Sequence, residues 1–204
     1  MNKVIIGGVL LALVLVGWLW LGSDGKVTNY PFTKEGTIVA FGDSLVAGVG
    51  APAAENFVAR LAVMLGEPIV NLGVAGNTTR DGLARLDAVK AENPRLVLVL
   101  LGGNDFLRKL PAEETFANLR KIILEIQKEG AVVVLLGVRG GLLTDGYEKE
   151  YRKLAKTTGS LYVPDVLDGL FGKTEYMSDS IHPNSAGYKI IAERVYAVVK
   201  GVMR

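Results

Sequence analysis

Cysteine is absent from the 204-residue sequence, and histidine occurs once. Without thiols there is no disulfide framework, no cysteine-ligated zinc site and no cysteine nucleophile. A single histidine also excludes a multi-histidine metal site. A surplus of charge is lacking too: 23 Lys and Arg stand against 21 Asp and Glu, with no basic run. The electrostatic footprint of a nucleic-acid partner is therefore missing. Apolar residues are not scarce; they make up 50% of the chain, which excludes general disorder. There is no internal repeat and no low-complexity segment.

Charged and strongly polar side chains are lacking altogether from residues 4–21, VIIGGVLLALVLVGWLWL. As a helix this run spans about 27 Å, at about 1.5 Å per residue. A hydrocarbon core is about 30 Å thick. Lys3 on the N-terminal flank predicts a cytoplasmic N-terminus, and Trp18 and Trp20 suit the far interface. The run exceeds the usual signal-peptide core of about 7–15 residues, and the Gly22-Ser23-Asp24-Gly25 that follows it is a poor match to an A-x-A cleavage site. Residues 1–21 are therefore read as a retained membrane anchor, in preference to a cleaved signal or a buried soluble helix. A lipoprotein is excluded, because there is no cysteine to acylate. Residues 22–36, GSDGKVTNYPFTKEG, are polar and rich in turn formers and read as a linker. Its flexible reach of about 20 Å would hold the following domain close to the bilayer, on the extracytoplasmic side. Residues 37–204 remain, ample for one hydrophobic core.

That remainder alternates strand and helix. Strands are expected at 37–41 (TIVAF), 68–72 (PIVNL), 96–101 (LVLVLL), 131–136 (AVVVLL) and Leu161–Val163. The third and fourth are apolar throughout, as in parallel strands covered on both faces. Phe116, Leu119, Ile122, Ile123 and Ile126 share a helical face, between Pro111 and Gly130. Phe57, Leu61, Met64 and Leu65 do the same. Leu83, Leu86 and Lys90 mark a helix stopped at Asn93-Pro94, and 186–199 forms the last helix. The pattern predicts a doubly wound, flavodoxin-like α/β domain with five parallel strands.

In such sheets ligands bind beyond the carboxyl ends of the strands. The segments there are Gly42-Asp43-Ser44-Leu45, Gly73-Val74-Ala75-Gly76-Asn77 and Gly102-Gly103-Asn104-Asp105, with Asp179-Ser180-Ile181-His182-Pro183 before the last helix. A hydroxyl, an amide, tight glycines, a carboxylate and an imidazole thus converge on one rim. A serine hydroxyl is a poor nucleophile until a base takes its proton. His182 is the one imidazole available to Ser44. Asp179, three residues earlier, can hold its tautomer, and is preferred to Asp165 and Asp168 in that role. Asp43 and Asp105 read as loop organisers rather than reacting groups. Val46 stands where a G-x-S-x-G elbow needs its second glycine, which argues against the α/β-hydrolase fold.

The blocks FGDSL, GVAGN, GGND and DSIHP, in this order, resemble the SGNH (GDSL) hydrolase superfamily from about residue 37 to the C-terminus. The stretch from Gly82-Leu83-Ala84-Arg85-Leu86 through Gly102-Gly103-Asn104-Asp105 is most similar to the bacterial acyl-thioesterase, lysophospholipase and arylesterase branch. The apolar run at 4–21 departs from the cleaved signal peptide usual there. The resemblance implies an oxyanion hole formed by the backbone N–H groups of Ser44 and Gly76 and the side-chain amide of Asn104. It implies a serine esterase or thioesterase acting on small or lipidic acyl esters, with no metal and no cofactor. The alternative is a carbohydrate O-acetyl esterase using the same site with a shallower, more polar pocket. A catalytically silent binding module is disfavoured by the intact Ser-His-Asp set. Phe106, Leu107, Leu110, Leu142 and Leu143 either line an apolar groove or form core beneath a loop.

Overall fold

The structure, a computed structural model, describes residues 26–139 and 146–203. The expected anchor at 1–21, and Leu142 and Leu143, lie outside the described residues. Among the described residues no helix is long and apolar enough to cross a membrane.

Five parallel strands form one sheet: β1 (Thr37–Gly42), β2 (Ile69–Gly73), β3 (Pro94–Leu100), β4 (Val132–Leu136) and β5 (Leu161–Val163), in the order β2-β1-β3-β4-β5. The helices are α1 (Ser44–Ala47), α2 (Phe57–Leu65), α3 (Thr79–Ala84), α4 (Asp87–Ala91), α5 (Gly103–Leu107), α6 (Ala112–Lys128), α7 (Tyr147–Thr158) and α8 (Ser185–Val199). Alternate residues of each central strand feed opposite layers, because side chains in a strand have period two. Ile38, Ala40, Leu96, Leu98, Val132 and Val134 join α2 and α8 in one core. Val39, Phe41, Val97, Val99, Val133 and Leu135 join α6 and α7 in the other. This two-sided burial is why β3 and β4 are apolar throughout.

Some elements differ from expectation. The helix expected before β3 is two short helices, α3 and α4; the chain leaves helical geometry at Arg85 (φ −114°, ψ 22°). Pro94 opens β3 rather than ending a helix, at a strand's first position, where a missing N–H is tolerated. Met64 is exposed, while Phe57 and Leu61 are fully buried. The polar segment 26–36, read as flexible linker, is docked on the domain. Thr28 N–H donates to Gly159 O (2.9 Å), and Asn29 Nδ2 donates to Gln127 O (2.8 Å) and Ala131 O (3.0 Å). Val27 and Phe32 pack against the core there. Turn-forming composition describes its bends but not the backbone acceptors that capture its amides.

Register places Gly42 opposite both Gly73 and Leu100, so β1, β2 and β3 end level. Their following loops open on one edge, and segment 26–36 lies at the opposite edge.

Candidate active site

β1 ends at Gly42, a position that admits nothing larger: a Cβ there would lie 2.2 Å from Leu100 O. Asp43 caps α1, its Oδ1 accepting from Leu45 N–H at 3.0 Å. Ser44 is therefore the first residue of a short helix, with its side chain at the mouth of a cleft. Burial pushes the Asp43 carboxyl up to about 7, against the lowering effect of the Leu45 N–H.

The imidazole arrives from the far end of the chain. Before α8, Asp179 Oδ1 accepts from the N–H groups of Ile181 (2.8 Å) and His182 (2.7 Å), folding the four-residue block into a tight turn. The Met177–Pro183 bridge closes its base, and Asn184 caps α8 by accepting from Ala186 and Gly187 N–H. In this turn Asp179 Oδ2 lies 2.7 Å from His182 Nδ1, and His182 Nε2 lies 3.1 Å from Ser44 Oγ. The hydrogen bond to His182, followed by that from the Ile181 N–H, holds the Asp179 carboxyl down to about 2. With Asp179 ionised and the imidazole neutral, Nδ1 donates and Nε2 is the ring acceptor facing Ser44 Oγ. Asp165 and Asp168, the weighed alternatives, pair with Arg139 instead (3.1 and 3.6 Å).

Gly76 has φ +80°, a left-handed conformation that favours glycine, while a Cβ there would meet little. Its carbonyl accepts from Arg108 Nη2 at 2.8 Å. Asn104 Nδ2 donates to Asn77 O at 3.0 Å and more weakly to Asp43 Oδ2 at 3.4 Å. Asp105 is buried and accepts from Thr79 N–H and Oγ1 (2.9 and 2.6 Å), tying α5 to α3 as a loop organiser.

Ser44, Asn104, Asp179 and His182 line one cleft of about 530 Å³. Its remaining wall is largely apolar: Phe106, Leu107, Val138, Leu167, Phe171 and Met177, with Arg139 and Lys173 among the polar residues. Phe106 and Leu107 thus line a groove as one of the two sequence readings held, while Leu110 is not part of the wall. Leu167, Phe171 and Met177 were not singled out in the sequence, where they are scattered apolar residues of an irregular segment. Asn77 and Arg85, which hydrogen-bond to each other beside Asn104, both stand in the quoted blocks but carry no role in the sequence reading.

Residues 40–190 match the family model described as the GDSL-like Lipase/Acylhydrolase family. The chain belongs to this family. It is 32% identical over 179 residues to Esterase TesA of Pseudomonas aeruginosa, covering 82% of this chain and 89% of that relative. It is 34% identical over 166 residues to the thioesterase 1/protease 1/lysophospholipase L1 of Escherichia coli K12, covering 77% and 80% of the two chains. Among solved structures, the crystal structure of TesA aligns with a TM-score of 0.75 at 31% identity, over 81% of this chain and 99% of that one. As a member of the GDSL-like acylhydrolases, the protein is a carboxylic ester hydrolase of the SGNH type.

Proposed function

We propose that this hydrolase cleaves acyl esters and thioesters carrying an extended apolar acyl chain, with Ser44 as nucleophile, His182 as general base and Asp179 as the orienting carboxylate. The observation that carries this reading is the hydrogen-bonded line Asp179–His182–Ser44 opening into a cleft walled by aromatic and aliphatic side chains. Ser44 Oγ passes its proton to His182 Nε2 and bonds to the carbonyl carbon. The carbonyl oxygen becomes an oxyanion facing the N–H groups of Ser44 and Gly76 and the Asn104 amide. Of the two bonds made by Asn104 Nδ2, the 3.4 Å one to Asp43 is the weaker and the one an oxyanion would replace. The intermediate collapses, the C–O or C–S bond breaks, and the imidazolium returns its proton to the leaving alcohol or thiol. A water molecule then repeats the sequence on the acyl-enzyme and frees the acid and Ser44. The carbohydrate O-acetyl esterase alternative is disfavoured by the apolar wall, which a single acetyl group would leave uncovered.

Ser44→Ala is expected to abolish hydrolysis with the fold retained. On the unmodified protein, kcat/KM for p-nitrophenyl esters is expected to rise from acetate to medium-chain acyl groups. A profile that peaks at acetate, with turnover of acetylated oligosaccharides, would favour the carbohydrate esterase instead. Residues 1–21 complete the proposal as a single-pass membrane anchor, N-terminus in the cytoplasm and catalytic domain outside it. Its support is the apolar run and its Lys3 flank.

A further inference from the structure

The guanidinium of Arg85 lies within salt-bridge distance of no carboxylate among the described residues. Its three nitrogens go to three oxygens around the site instead. Nε donates to Asn77 Oδ1 at 2.6 Å, Nη1 to Leu72 O at 2.9 Å and Nη2 to Gly42 O at 2.8 Å. The plane rests over the Phe41 ring, 4.3 Å from its centroid. Gly42 O is the last carbonyl before Asp43-Ser44, and Leu72 O lies at the end of β2. Asn77 supplies the carbonyl that receives the Asn104 amide, at 3.0 Å. One side chain therefore ties the nucleophile's strand end to the loop bearing Gly76 and, through Asn77, to Asn104. Half-burial of an unpaired cation opposes its charge, and desolvation lowers the Arg85 pKa from its usual value. A chain needing only a clasp between β1 and β2 has cheaper devices, such as the Val74 N–H bond to Gly42 O at 3.0 Å that is already present.

We propose that Arg85 is a positioning residue for the oxyanion hole, setting the Asn104 amide relative to Ser44 through Asn77. This rests on the reading of Asn104 as an oxyanion donor. Only a planar fork with donors in three directions meets these acceptors together; a lysine ammonium on a flexible stem cannot hold the same geometry. Misplacing a preorganised donor weakens binding of the developing oxyanion while leaving acyl-chain binding in the cleft untouched.

The test is a double-mutant cycle on the full-length protein with a p-nitrophenyl ester, kcat and KM being measured separately. Arg85→Met is expected to lower kcat by about tenfold or more with KM changed by less than about twofold. Arg85→Lys should fall between Arg85→Met and the unsubstituted protein. In an Asn104→Ala background the same Arg85→Met change should cost less than about threefold, because the donor it positions is already gone. Should Arg85→Met fail to fold, Asn77→Ala replaces it; that variant removes only the Oδ1 partner of Nε, and the same non-additive loss in kcat is expected. An unchanged kcat, or an equal loss with and without the Asn104 amide, overturns the inference and makes Arg85 a structural clasp. A normal kcat for Asn104→Ala alone would instead overturn the underlying oxyanion reading.

Discussion

Asn104 carries two demands on one amide. It braces the Asn77 carbonyl in the free protein and lies 3.4 Å from a buried carboxyl of Asp43 that would yield to an oxyanion. Asn104→Ala is therefore expected to lower kcat by about 100-fold or more, far beyond any rise in KM. Steady-state kinetics on one soluble ester checks this, and a KM effect without a kcat effect would reassign the amide to substrate positioning. Asp43 itself makes a second prediction. Its carboxyl rises from 3.8 to about 7 on folding, chiefly through burial. The folded state thus binds this proton more tightly than the unfolded chain. The stability gained from the protonated form is fully present below the ordinary carboxylate range and is lost as pH rises towards 7. Asp43→Asn keeps a good capping side chain and cannot ionise. Its Tm relative to the unsubstituted protein should climb across that interval, and a constant difference would refute the assignment.

At the level of elements, α1 and β2 meet with no room to spare. A Cβ on Gly73 would lie 2.1 Å from Ala47 N and 2.6 Å from Val46 C, both backbone atoms of α1. Gly73→Ala should force α1 outward, costing about 1–3 kcal/mol in urea unfolding. Because α1 begins with Ser44, kcat should fall in the same variant. Strands β3 and β4 were legible because unbroken β-branched and leucine runs belong to doubly covered parallel strands. Ser44, Asn104, Asp179 and His182, which line the cleft, stand out in the sequence because each lies beyond a strand or before a helix in a short block of small polar residues, whereas the oxyanion roles of Gly76 and Asn104 come from the family resemblance alone. Helix α7 offered less, since tyrosines Tyr147 and Tyr151 supply much of its buried face. The break between α3 and α4 was hidden, because it coincides with an arginine whose partners come from β1, β2 and a loop. The apolar wall made by Leu167, Phe171 and Met177 exists only after β5 carries the chain past the cleft. Periodicity cannot see contacts of that kind.

For the whole molecule, the anchor proposal makes a plain prediction. The full-length protein should stay in the pellet after an alkaline carbonate wash, with an intact mass that retains residues 1–21. A soluble product beginning near Gly22 would refute the anchor and leave the hydrolase untouched. Protease added to spheroplasts should cut the domain if it lies outside. The docking of segment 26–36 also alters the geometry of such an anchored protein. Only residues 22–25 would remain as a tether, reaching at most about 14 Å. They would meet the domain at the edge where the strands begin, whereas Ser44 and His182 stand where the strands end. Six residues of β1 separate the two edges, about 20 Å at about 3.3 Å each. An enzyme mounted this way turns its back to the lipid. Its substrates would reach it from the aqueous side, as dispersed acyl esters and thioesters, rather than by sliding sideways out of the leaflet that holds it.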